Sequence, residues 1–478
     1  MIKFGTGGFR GIIGDDFSKA NIELIAEAVA ELITESGSKK KVVIGYDNRF
    51  MSDYAAKWFG EVLMGNGVPI ALTATPVPTP LVMMVVRDLS LDYGFTMTAS
   101  HNPYFYNGVK PFLQGGIDAD ESFTSMLEER INKVKEAKVL PFEKGSEEGL
   151  SEIINYLPTY VSTIETFLNQ RAYHSPLKIL FNNLNGVGER AVLPLAERLD
   201  FARFDSLNTA HDAFFSFRDP NPTRDNLIGE FRSQLLLGGY DIGIALDSDA
   251  DRLGVLDEQG NYVDANEIMA CLYYGLIKYR GEKGDVVKNI ATSTLIDKLA
   301  KAFGYKCIVT DVGFKHISSA MKEHDALLGG ESSGGLTVRG YLYGKDSSFS
   351  SMLFLNLIAS MGKKVSEVVK EVKSFAGYDH FFLESAMHFE SEPSKVLETI
   401  SSSSFAFPWP LVKKERISNN VRFLFGDDRF LLLRLSGTEK KFRLFAEMKD
   451  QEEAKQGIQE LISCVKEAER IVESASNQ

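Results

Sequence analysis

The chain has 478 residues and a formal net charge of -12 at neutral pH, and 44% of its residues are hydrophobic and 25% charged. At about 100 to 200 residues per domain, this length predicts three or four domains of a globular protein. The acidic balance argues against a nucleic-acid partner, and no segment approaches the ~20 apolar residues of a membrane span. It does not exclude a phosphate ligand, because a few converging cations can bind one locally.

Three widely spaced cysteines, Cys271, Cys307 and Cys464, form neither a metal-ligand nor a disulfide pattern. The first ten residues contain no apolar core of signal-peptide length. Both observations predict a cytoplasmic protein without a membrane partner. We expect a monomer or a homodimer.

Residues 1–148 are predicted to form a first α/β domain. Strands and helices alternate in the order strand 41–44, helix 52–64, strand 69–73, a helix ending at Arg87, and strand 92–97. This alternation predicts an α/β layer sandwich with parallel strands. A glycine-rich stretch with Arg10 opens the domain, and it either brings a guanidinium to an anion or is an ordinary loop. A charged tract at 143–149 is predicted to close the domain.

The stretch from Thr98 to Lys110 directly follows the last of these strands. Asn102 and Pro103 break the strand, so the side chains before them lie at the sheet edge, where open α/β sheets hold their active sites. Ser100 is therefore a candidate nucleophile. The alternative is that Ser100 closes a turn and that His101 makes ordinary hydrogen bonds.

Residues 149–258 are predicted to form a second α/β domain that ends in an acidic motif. A buried strand at 240–246 is followed by Asp247, Asp249, Asp251 and Arg252. Alternate residues of an extended segment share a face, so the three carboxylates should converge. Such like charges repel unless a cation lies between them, and Mg²⁺ is commonly held by carboxylates and a substrate phosphate.

Two alternatives to a magnesium site remain for this motif. A calcium loop of the EF-hand type also begins with alternating aspartates, and Glu258 stands at its twelfth place. However, Arg252 occupies the sixth place, where the turn demands glycine, and the flanks read as strands. A solvated acidic turn is disfavoured because the motif follows a buried strand.

Residues 259–370 are predicted to form a third α/β domain. A short apolar strand at 325–328 leads to a glycine-rich loop that contains Glu331 and Ser333, which offer acceptors for sugar hydroxyls. Asp92, Asp241 and Asp325 each open an apolar strand whose far end bears a polar motif, which predicts three related α/β units.

Residues 371–478 are predicted to form a smaller α+β domain of sheet and helices, closed by an amphipathic helix at 451–474. Its strands 421–425, 430–435 and 444–448 are separated by turns. A tight loop between two of them is predicted to cradle a phosphate dianion. The candidate residues of this loop are Arg434, Ser436, Gly437, Thr438 and Arg443.

These four motifs, in this order, resemble those of the α-D-phosphohexomutases, which include phosphoglucomutases and phosphomannomutases. Residues 98–103 resemble the family's phosphoserine loop, 247–252 its metal loop, 330–334 its sugar loop and 434–443 its phosphate loop. The resemblance implies three similar α/β domains and a smaller C-terminal domain around a central cleft.

The resemblance also implies roles for the candidate residues. Ser100 carries a phosphoryl group beside one Mg²⁺ ion held with Asp247, Asp249 and Asp251, and glucose 1,6-bisphosphate is the intermediate and activator. Charge or proton transfer falls to Arg10, His101, Lys110 and Arg252, with Lys110 as the candidate acid/base. Substrate binding falls to Arg252, Lys315, Glu331, Ser333, Arg434, Ser436, Gly437, Thr438 and Arg443.

Two departures from the family pattern bear on substrate and mechanism. Ser248 stands where many members have glycine, and Gly335 stands where some members carry a proton-transferring histidine. Because Gly335 cannot transfer a proton, Lys110 or Lys315 becomes more important for proton transfer. We expect an isomerase that interconverts hexose 1- and 6-phosphates, glucose first, with mannose or amino-sugar phosphates as alternatives and a non-catalytic sugar-phosphate-binding protein as the remaining one.

Overall fold

The computed structural model describes residues 2–5, 7–168, 176–199, 202–436 and 441–476. The chain divides into two compact units. The first comprises residues 1–288 and 313–372, and the second comprises residues 289–312 and 373–478.

The first sheet of the first unit is mixed. Its part of the chain contains β1 (Phe4–Gly5), β2 (Gly8–Ile12), α1 (Lys19–Ser36), β3 (Val42–Tyr46), α2 (Ser52–Gly65), β4 (Ile70–Thr73), α3 (Thr79–Asp88), β5 (Tyr93–Met97), β6 (Tyr106–Leu113), β7 (Ile117–Asp118), α4 (Glu121–Ile131), α5 (Phe142–Glu147) and β8 (Ser151–Ile154). The strand order is β1-β2-β6-β5-β3-β4-β8, with β7 on β6. Strands β5, β3, β4 and β8 run parallel. Strand β6 pairs antiparallel with β5, and β2 pairs antiparallel with β6. Strand β8 thus extends the first sheet past residue 148, the predicted end of the first domain.

Helix α1 shows how the sequence sets element bounds. The Ser18 hydroxyl accepts a hydrogen bond from the Asn21 amide at 3.3 Å, and Gly37 ends the helix in the left-handed conformation with φ of 72°. The apolar face of α1 is buried at Ile22, Ile25, Val29 and Ile33. Apolar residues at helical spacing after the N-cap Ser18 are therefore what place and bury this helix.

The second sheet is also mixed. Its part of the chain contains α6 (Leu157–Leu168), β9 (Leu177–Asn182), α7 (Glu189–Arg198), β10 (Ala202–Leu207), α8 (Arg224–Leu227), α9 (Glu230–Gly238), β11 (Ile242–Leu246), β12 (Leu253–Leu256) and β13 (Tyr262–Val263). The order is β10-β9-β11-β12-β13. The first three strands run parallel, β12 pairs antiparallel with β11, and β13 pairs antiparallel with β12.

The next part of the chain contains α10 (Ala265–Lys278), β14 (Val286–Asn289), α11 (Leu295–Phe303), β15 (Cys307–Thr310), α12 (Phe314–His324), β16 (Leu328–Gly330), β17 (Leu336–Val338), α13 (Ser347–Met361) and α14 (Val365–Ala376). Strand β16 pairs parallel with β14 and antiparallel with β17. The strand predicted at 325–328 begins at Leu328, because Asp325 ends α12 in the left-handed conformation. Elements α11 and β15 belong to the second unit.

The second unit also contains an antiparallel sheet covered by helices. Its elements are β18 (Phe381–His388), α15 (Pro393–Ser402), β19 (Leu411–Ile417), β20 (Asn420–Phe425), β21 (Phe430–Leu435), β22 (Lys441–Met448) and α16 (Gln451–Ser476). The order β18-β22-β21-β20-β19 agrees with the predicted α+β domain. Across the ranges that the structure describes, no helix has the length and apolarity to cross a bilayer.

One plan recurs in the three sheets of the α/β part. A parallel strand ends in a polar loop, and the chain returns in an antiparallel strand: β5 to β6, β11 to β12, and β16 to β17. The parallel strands predicted for the first domain did not include its antiparallel return strand β6. We refer to the three connections as the serine loop (98–105), the aspartate loop (247–252) and the glutamate loop (331–335).

Candidate active site

Ser100, in the serine loop, lies against the aspartate loop. Its Oγ donates a hydrogen bond to Oδ2 of Asp247 at 3.0 Å and lies 3.4 Å from Nδ1 of His101. Ser100 is buried. Two loops that are about 150 residues apart in sequence therefore bring a hydroxyl and a carboxylate into contact, as the sequence predicted.

The three aspartates of the aspartate loop converge. One oxygen from each of Asp247, Asp249 and Asp251 lies within 4.8 Å of the others. The reason differs from the predicted alternation along an extended segment. The chain makes a tight turn at Ala250, whose φ is 57°, and the amides of Asp251 and Arg252 donate to Oδ1 of Asp247 at 2.8 and 2.9 Å.

Both oxygens of Asp247 are held by the protein, whereas Asp249 and Asp251 each have one oxygen held by it. Oδ2 of Asp249 accepts from the Thr79 hydroxyl at 2.8 Å, and Oδ2 of Asp251 contacts the ammonium groups of Lys110 at 2.6 Å and Lys345 at 2.9 Å. Oδ1 of Asp249 and Oδ1 of Asp251 are buried and accept no hydrogen bond within the described ranges. Buried carboxylate oxygens are costly without a partner, so these two atoms are suited to bind a cation.

The donor set fits a hard divalent cation. One carboxylate oxygen from each of Asp247, Asp249 and Asp251, together with Oγ of Ser100, gives a set of oxygen ligands of the kind that Mg²⁺ prefers. The calcium-loop alternative fits poorly, because strands flank the aspartate loop and the Glu258 carboxylate is hydrogen-bonded to Ser366.

Opposing charges fix the protonation of the cluster. Burial lowers the pKa of Lys110, but Asp251 and Asp249 outweigh burial and raise it above its usual value. Burial raises the pKa of Asp251, yet Lys110 and Lys345 hold it well below its usual value. The pKa of Asp247 is raised well above its usual value by burial and by the neighbouring aspartates. Lys110 is thus a charged partner of the aspartate loop, and its acid/base role stays a prediction.

Three further basic groups crowd the serine loop. Arg10, on β2, has a pKa lowered by burial and by the charge of Arg252. Burial, Arg252 and Arg10 hold the pKa of His101 well below its usual value. A side chain at Gly7 would displace Arg10, because its Cβ would lie 2.8 Å from Nη2 of the guanidinium. The positive charges of Arg10 and Arg252 repel each other, so an anion between them would be stabilised.

The glutamate loop places Glu331 and Ser333 together. The Ser333 hydroxyl donates to Oε1 of Glu331 at 2.6 Å, and the Glu331 amide donates to the carbonyl of Gly335 at 3.1 Å. A Cβ on Gly335 would lie 2.4 Å from Cδ of Lys345, so this position is kept free of a side chain by the lysine that reaches Asp251. Lys345 therefore links the glutamate loop to the aspartate loop.

Lys315, another predicted substrate-binding residue, lies at the start of α12. Its Nζ pairs with Oε1 of Glu121, at the start of α4, at 2.9 Å. The Glu121 side chain is 78% exposed. The Glu121 side of this ion pair is thus exposed to solvent, so an anionic ligand can replace the Glu121 carboxylate beside Lys315.

The predicted phosphate-binding residues of the second unit lie on neighbouring strands. Arg434 on β21 is the register partner of Arg443 on β22, and Arg443 pairs with Glu384 at 3.3 Å. Two like charges directly opposite on a sheet favour an anion nearby. The Ser436 amide donates to the carbonyl of Lys441 at 2.9 Å. Gly437 and Thr438 lie outside the described residues.

Sequence reasoning missed several residues that contact the site. Asp47 and Arg49 follow β3 and contact the serine loop, and Thr79 holds Asp249. The signal for the first two was present, because a polar Asp-Asn-Arg run ends a buried parallel strand just as the serine loop does. The pairing of Lys345 with Asp251 joins residues about 90 positions apart and had no local signal.

Three repeated α/β plans whose loops bring a serine to an acidic cluster define the architecture of a phosphohexomutase, an enzyme that moves a phosphoryl group within a sugar phosphate. Three models named phosphoglucomutase/phosphomannomutase, alpha/beta/alpha domains I, II and III, match residues 1–138, 158–260 and 264–375. The chain belongs to this phosphoglucomutase/phosphomannomutase family of α-D-phosphohexomutases. It is therefore an intramolecular phosphotransferase, classed as an isomerase.

Individual relatives cover almost the whole chain. The Thermococcus kodakarensis protein named phosphoglucomutase/phosphomannomutase is 27% identical over 467 residues, which are 97% of this chain and 98% of the relative. The Sulfurisphaera tokodaii protein named phosphoglucosamine/phosphogalactosamine mutase is 28% identical over 96% of this chain and 98% of the relative. A crystal structure of a Burkholderia thailandensis phosphoglucomutase/phosphomannomutase family protein is 21% identical, covers 98% of both chains and has a TM-score of 0.81, which supports the fold.

Proposed function

We propose that this enzyme interconverts glucose 1-phosphate and glucose 6-phosphate through a phosphoserine at Ser100 and glucose 1,6-bisphosphate. The observation that carries the proposal is the 3.0 Å contact between Oγ of Ser100 and Asp247, inside a cluster of three carboxylates. A hydroxyl with this neighbour is placed where a phosphoryl group and a divalent cation can meet.

Arg10, Arg252 and His101 would stabilise the negative charge of the phosphoryl group. The pKa of Arg10 is lowered by burial and then by Arg252, and the pKa of His101 by burial and then by Arg252 and Arg10; the second cause in each supports this role, since it reflects positive charge near these groups. In the transfer, the P–O bond to Ser100 breaks and a P–O bond to a sugar oxygen forms. The proton of that sugar hydroxyl passes to Ser100 by way of Lys110, our candidate acid/base.

Asp247, Asp249, Asp251 and Oγ of Ser100 would hold one Mg²⁺ per chain. When bound, the ion supplies positive charge that offsets the charge of the transferring group. The buried oxygens of Asp249 and Asp251 that accept no hydrogen bond within the described ranges support this assignment. Lys110 and Lys345 keep Asp251 ionised, and so keep it ready as a ligand.

Substrate binding would be shared by residues of two kinds. Glu331 and Ser333 accept hydrogen bonds from sugar hydroxyls, and Lys315 exchanges Glu121 for the substrate. A phosphate group is bound by cations and hydroxyls of the second unit, for which the opposed arginines give support. These are Arg434, Ser436, Gly437, Thr438 and Arg443.

A second candidate substrate is an amino-sugar phosphate. The name of the Sulfurisphaera tokodaii relative, phosphoglucosamine/phosphogalactosamine mutase, favours it. The Glu331 carboxylate could pair with a sugar ammonium group as readily as with hydroxyls. A mannose phosphate is a third candidate, because the Thermococcus kodakarensis relative carries both the glucose and the mannose name.

We also propose four domains, predicted from the sequence at residues 1–148, 149–258, 259–370 and 371–478. The pairing of β8 with β4 supports moving the boundary between the first two domains from 148 to Ile154, so that the second begins at 155. The cysteine pattern supports a cytoplasmic location, and the chain would act as a monomer or a homodimer.

A coupled assay on the 1-phosphates of glucose, mannose and glucosamine, primed with the matching 1,6-bisphosphate, tests the proposal. We expect Mg²⁺-dependent turnover that is fastest with glucose 1-phosphate, and abolished turnover in Ser100→Ala. Ser146→Ala, which alters an exposed serine, is the control and should keep full turnover. Faster turnover of glucosamine 1-phosphate would replace glucose by the second candidate, and full turnover by Ser100→Ala would overturn the phosphoserine mechanism.

A further inference from the structure

Ser100 has a backbone conformation that needs support. Its φ is 50°, in the left-handed region that a serine rarely adopts. The Ser100 amide donates to Oγ1 of Thr98 at 2.9 Å, and the Ser100 carbonyl accepts from both Arg49 and Ser248. The protein therefore holds the peptide groups on both sides of Ser100.

Arg49 binds the backbone of the serine loop with its whole guanidinium group. Nη1 donates to the carbonyls of Pro103 and Tyr106 at 2.9 and 3.0 Å, and Nη2 donates to the carbonyls of Ser100 and Asn102. The Arg49 side chain has no exposed surface. A planar fork of donors can satisfy several carbonyls at fixed angles, which a lysine cannot do.

The buried charge of Arg49 is balanced by Asp47. Oδ2 of Asp47 lies 3.3 Å from Nε of Arg49 and accepts from the Thr98 hydroxyl at 2.7 Å. The Arg49 guanidinium also lies 4.9 Å from the ring centre of Phe215, which covers it on one side. These contacts fix the guanidinium before any substrate arrives.

Ser248 joins the aspartate loop to the same carbonyl. Its Oγ donates to the carbonyl of Ser100 at 2.5 Å and accepts from Nη2 of Arg49 at 3.3 Å. Ser248 stands between Asp247 and Asp249, yet its hydroxyl contacts the Ser100 carbonyl and, at 3.3 Å, Oδ2 of Asp47. Glycine at this position, as in many family members, would keep the turn and lose this bridge.

We infer that Arg49 and Ser248 are positioning residues that clamp the serine loop to the aspartate loop and hold Oγ of Ser100 beside Asp247. This inference rests on the proposed role of Ser100. Phosphoryl transfer requires the reacting oxygens in line, and a displacement of about 1 Å can cost about a hundredfold in rate. The clamp acts on the backbone of Ser100 and touches no reacting atom, so it should affect kcat and leave substrate binding unchanged.

The test compares Ser248→Ala, Ser248→Gly and Arg49→Lys with the control Ser351→Ala, which alters a fully buried serine of α13. Two quantities are measured: steady-state kinetics, and amide hydrogen exchange of peptides covering residues 98–106. For the clamp variants we expect kcat to fall about tenfold, KM to stay within twofold, and exchange in these peptides to rise about tenfold. Ser351→Ala should change neither quantity.

Unchanged kcat and exchange in both Ser248 variants would overturn the clamp, as would equal changes in Ser351→Ala. If Arg49→Lys does not fold, the two Ser248 variants still decide. Hydrogen exchange reports on the clamp whether or not Ser100 is phosphorylated. Failure of the phosphoserine mechanism, seen as full turnover by Ser100→Ala, is therefore distinguishable from failure of the clamp.

Discussion

The aspartate loop and the glutamate loop occupy the same place in two successive sheets, yet they differ in burial and in partners. Asp247, Asp249 and Asp251 are at most 1% exposed and are held by amides, a hydroxyl and two lysines. Glu331 is 9% exposed, and Ser333, its hydrogen-bond donor, is exposed.

The difference separates two tasks. Charged groups that act on a transferring group work best when they are shielded from water and fixed in advance, because the surrounding dipoles then need not reorganise during the reaction. Groups that recognise the substrate must be reachable from solvent. Under the proposed function, the same strand–loop–strand plan would serve both tasks, and the burial of the loop would decide which task it performs.

The strongest test of this comparison is Asp251→Asn. The change puts a neutral amide beside the ammonium groups of Lys110, which keeps Asp249 as its other partner, and of Lys345, and it removes one of three converging carboxylates. We expect kcat to fall about a thousandfold in the coupled assay and thermal stability to drop, since breaking a buried ion pair costs up to about 3–5 kcal/mol.

Asp257→Asn is the matched control, because Asp257 is a buried aspartate that accepts from two backbone amides in the turn after β12. It should keep kcat within about threefold, as expected for a change outside the reacting groups. Activity of Asp251→Asn within tenfold of the unaltered enzyme would remove the distinction between the two loops.

The next largest effect concerns Asp346, the N-cap of α13 and the neighbour of Lys345. Burial raises the pKa of Asp346 from 3.8 to about 6, against the lowering effect of the Phe349 amide and of the Tyr341 and Tyr160 hydroxyls. The folded protein therefore binds a proton more tightly than the unfolded chain. The stabilisation is present below pH 4 and is lost as the pH rises through 6, by about 3 kcal/mol in total.

Asp346→Asn keeps a helix cap and removes the titration. We expect the thermal unfolding temperature of the variant to fall less between pH 4 and 7 than that of the unaltered enzyme, after the other titrating groups cancel in the difference. An identical pH dependence of the two proteins would show that Asp346 does not titrate in this range.

A smaller effect is expected in the glutamate loop from Glu331→Gln. A hydrogen bond from a sugar hydroxyl to a charged acceptor contributes about 1.5–3 kcal/mol, so KM should rise about tenfold to a hundredfold with kcat nearly unchanged. Glu323→Gln, an exposed change on α12, is the charge-matched control. A fall in kcat as large as that of Asp251→Asn would mean that the two loops do not divide the work.

The smallest effect is expected from Gly335→Ala, which probes the link between the loops. The new methyl group would lie 2.4 Å from Cδ of Lys345 and push this flexible side chain away from Asp251. We expect kcat to fall about threefold to tenfold, because Asp251 keeps Lys110 as its other partner. Lys345→Met should lower kcat by a similar factor, and a much larger effect of Gly335→Ala alone would indicate a different cause.

The sequence predicted the parts of the site that are local in the chain. Ser100 and the aspartate triad each stand directly after an apolar strand, so strand ends and residue chemistry were enough to find them. The return strand β6 was missed because its first residues, 106–110, were interpreted as part of the motif. The observed sheets are mixed because each contains an antiparallel return strand.

The contacts between distant segments were beyond sequence reasoning. Lys345 pairs with Asp251, and Arg49 donates hydrogen bonds to the serine loop. Both contacts depend on where separate strands end in space. The convergence of the aspartates was predicted, but from an extended segment, whereas a left-handed residue, Ala250, makes the turn. Such a conformation is unusual for alanine and had no signal in composition.

A pulse–chase experiment tests whether Ser100 carries the phosphoryl group. The enzyme is labelled with glucose 1,6-bisphosphate that carries radioactive phosphorus and is freed of ligand. One part is digested to locate the label, and another is chased with unlabelled glucose 1-phosphate. We expect label on the peptide that contains Ser100 and its complete transfer to sugar phosphate within one turnover. Label on another peptide, or label on Ser100 that the chase does not remove at the turnover rate, would contradict it.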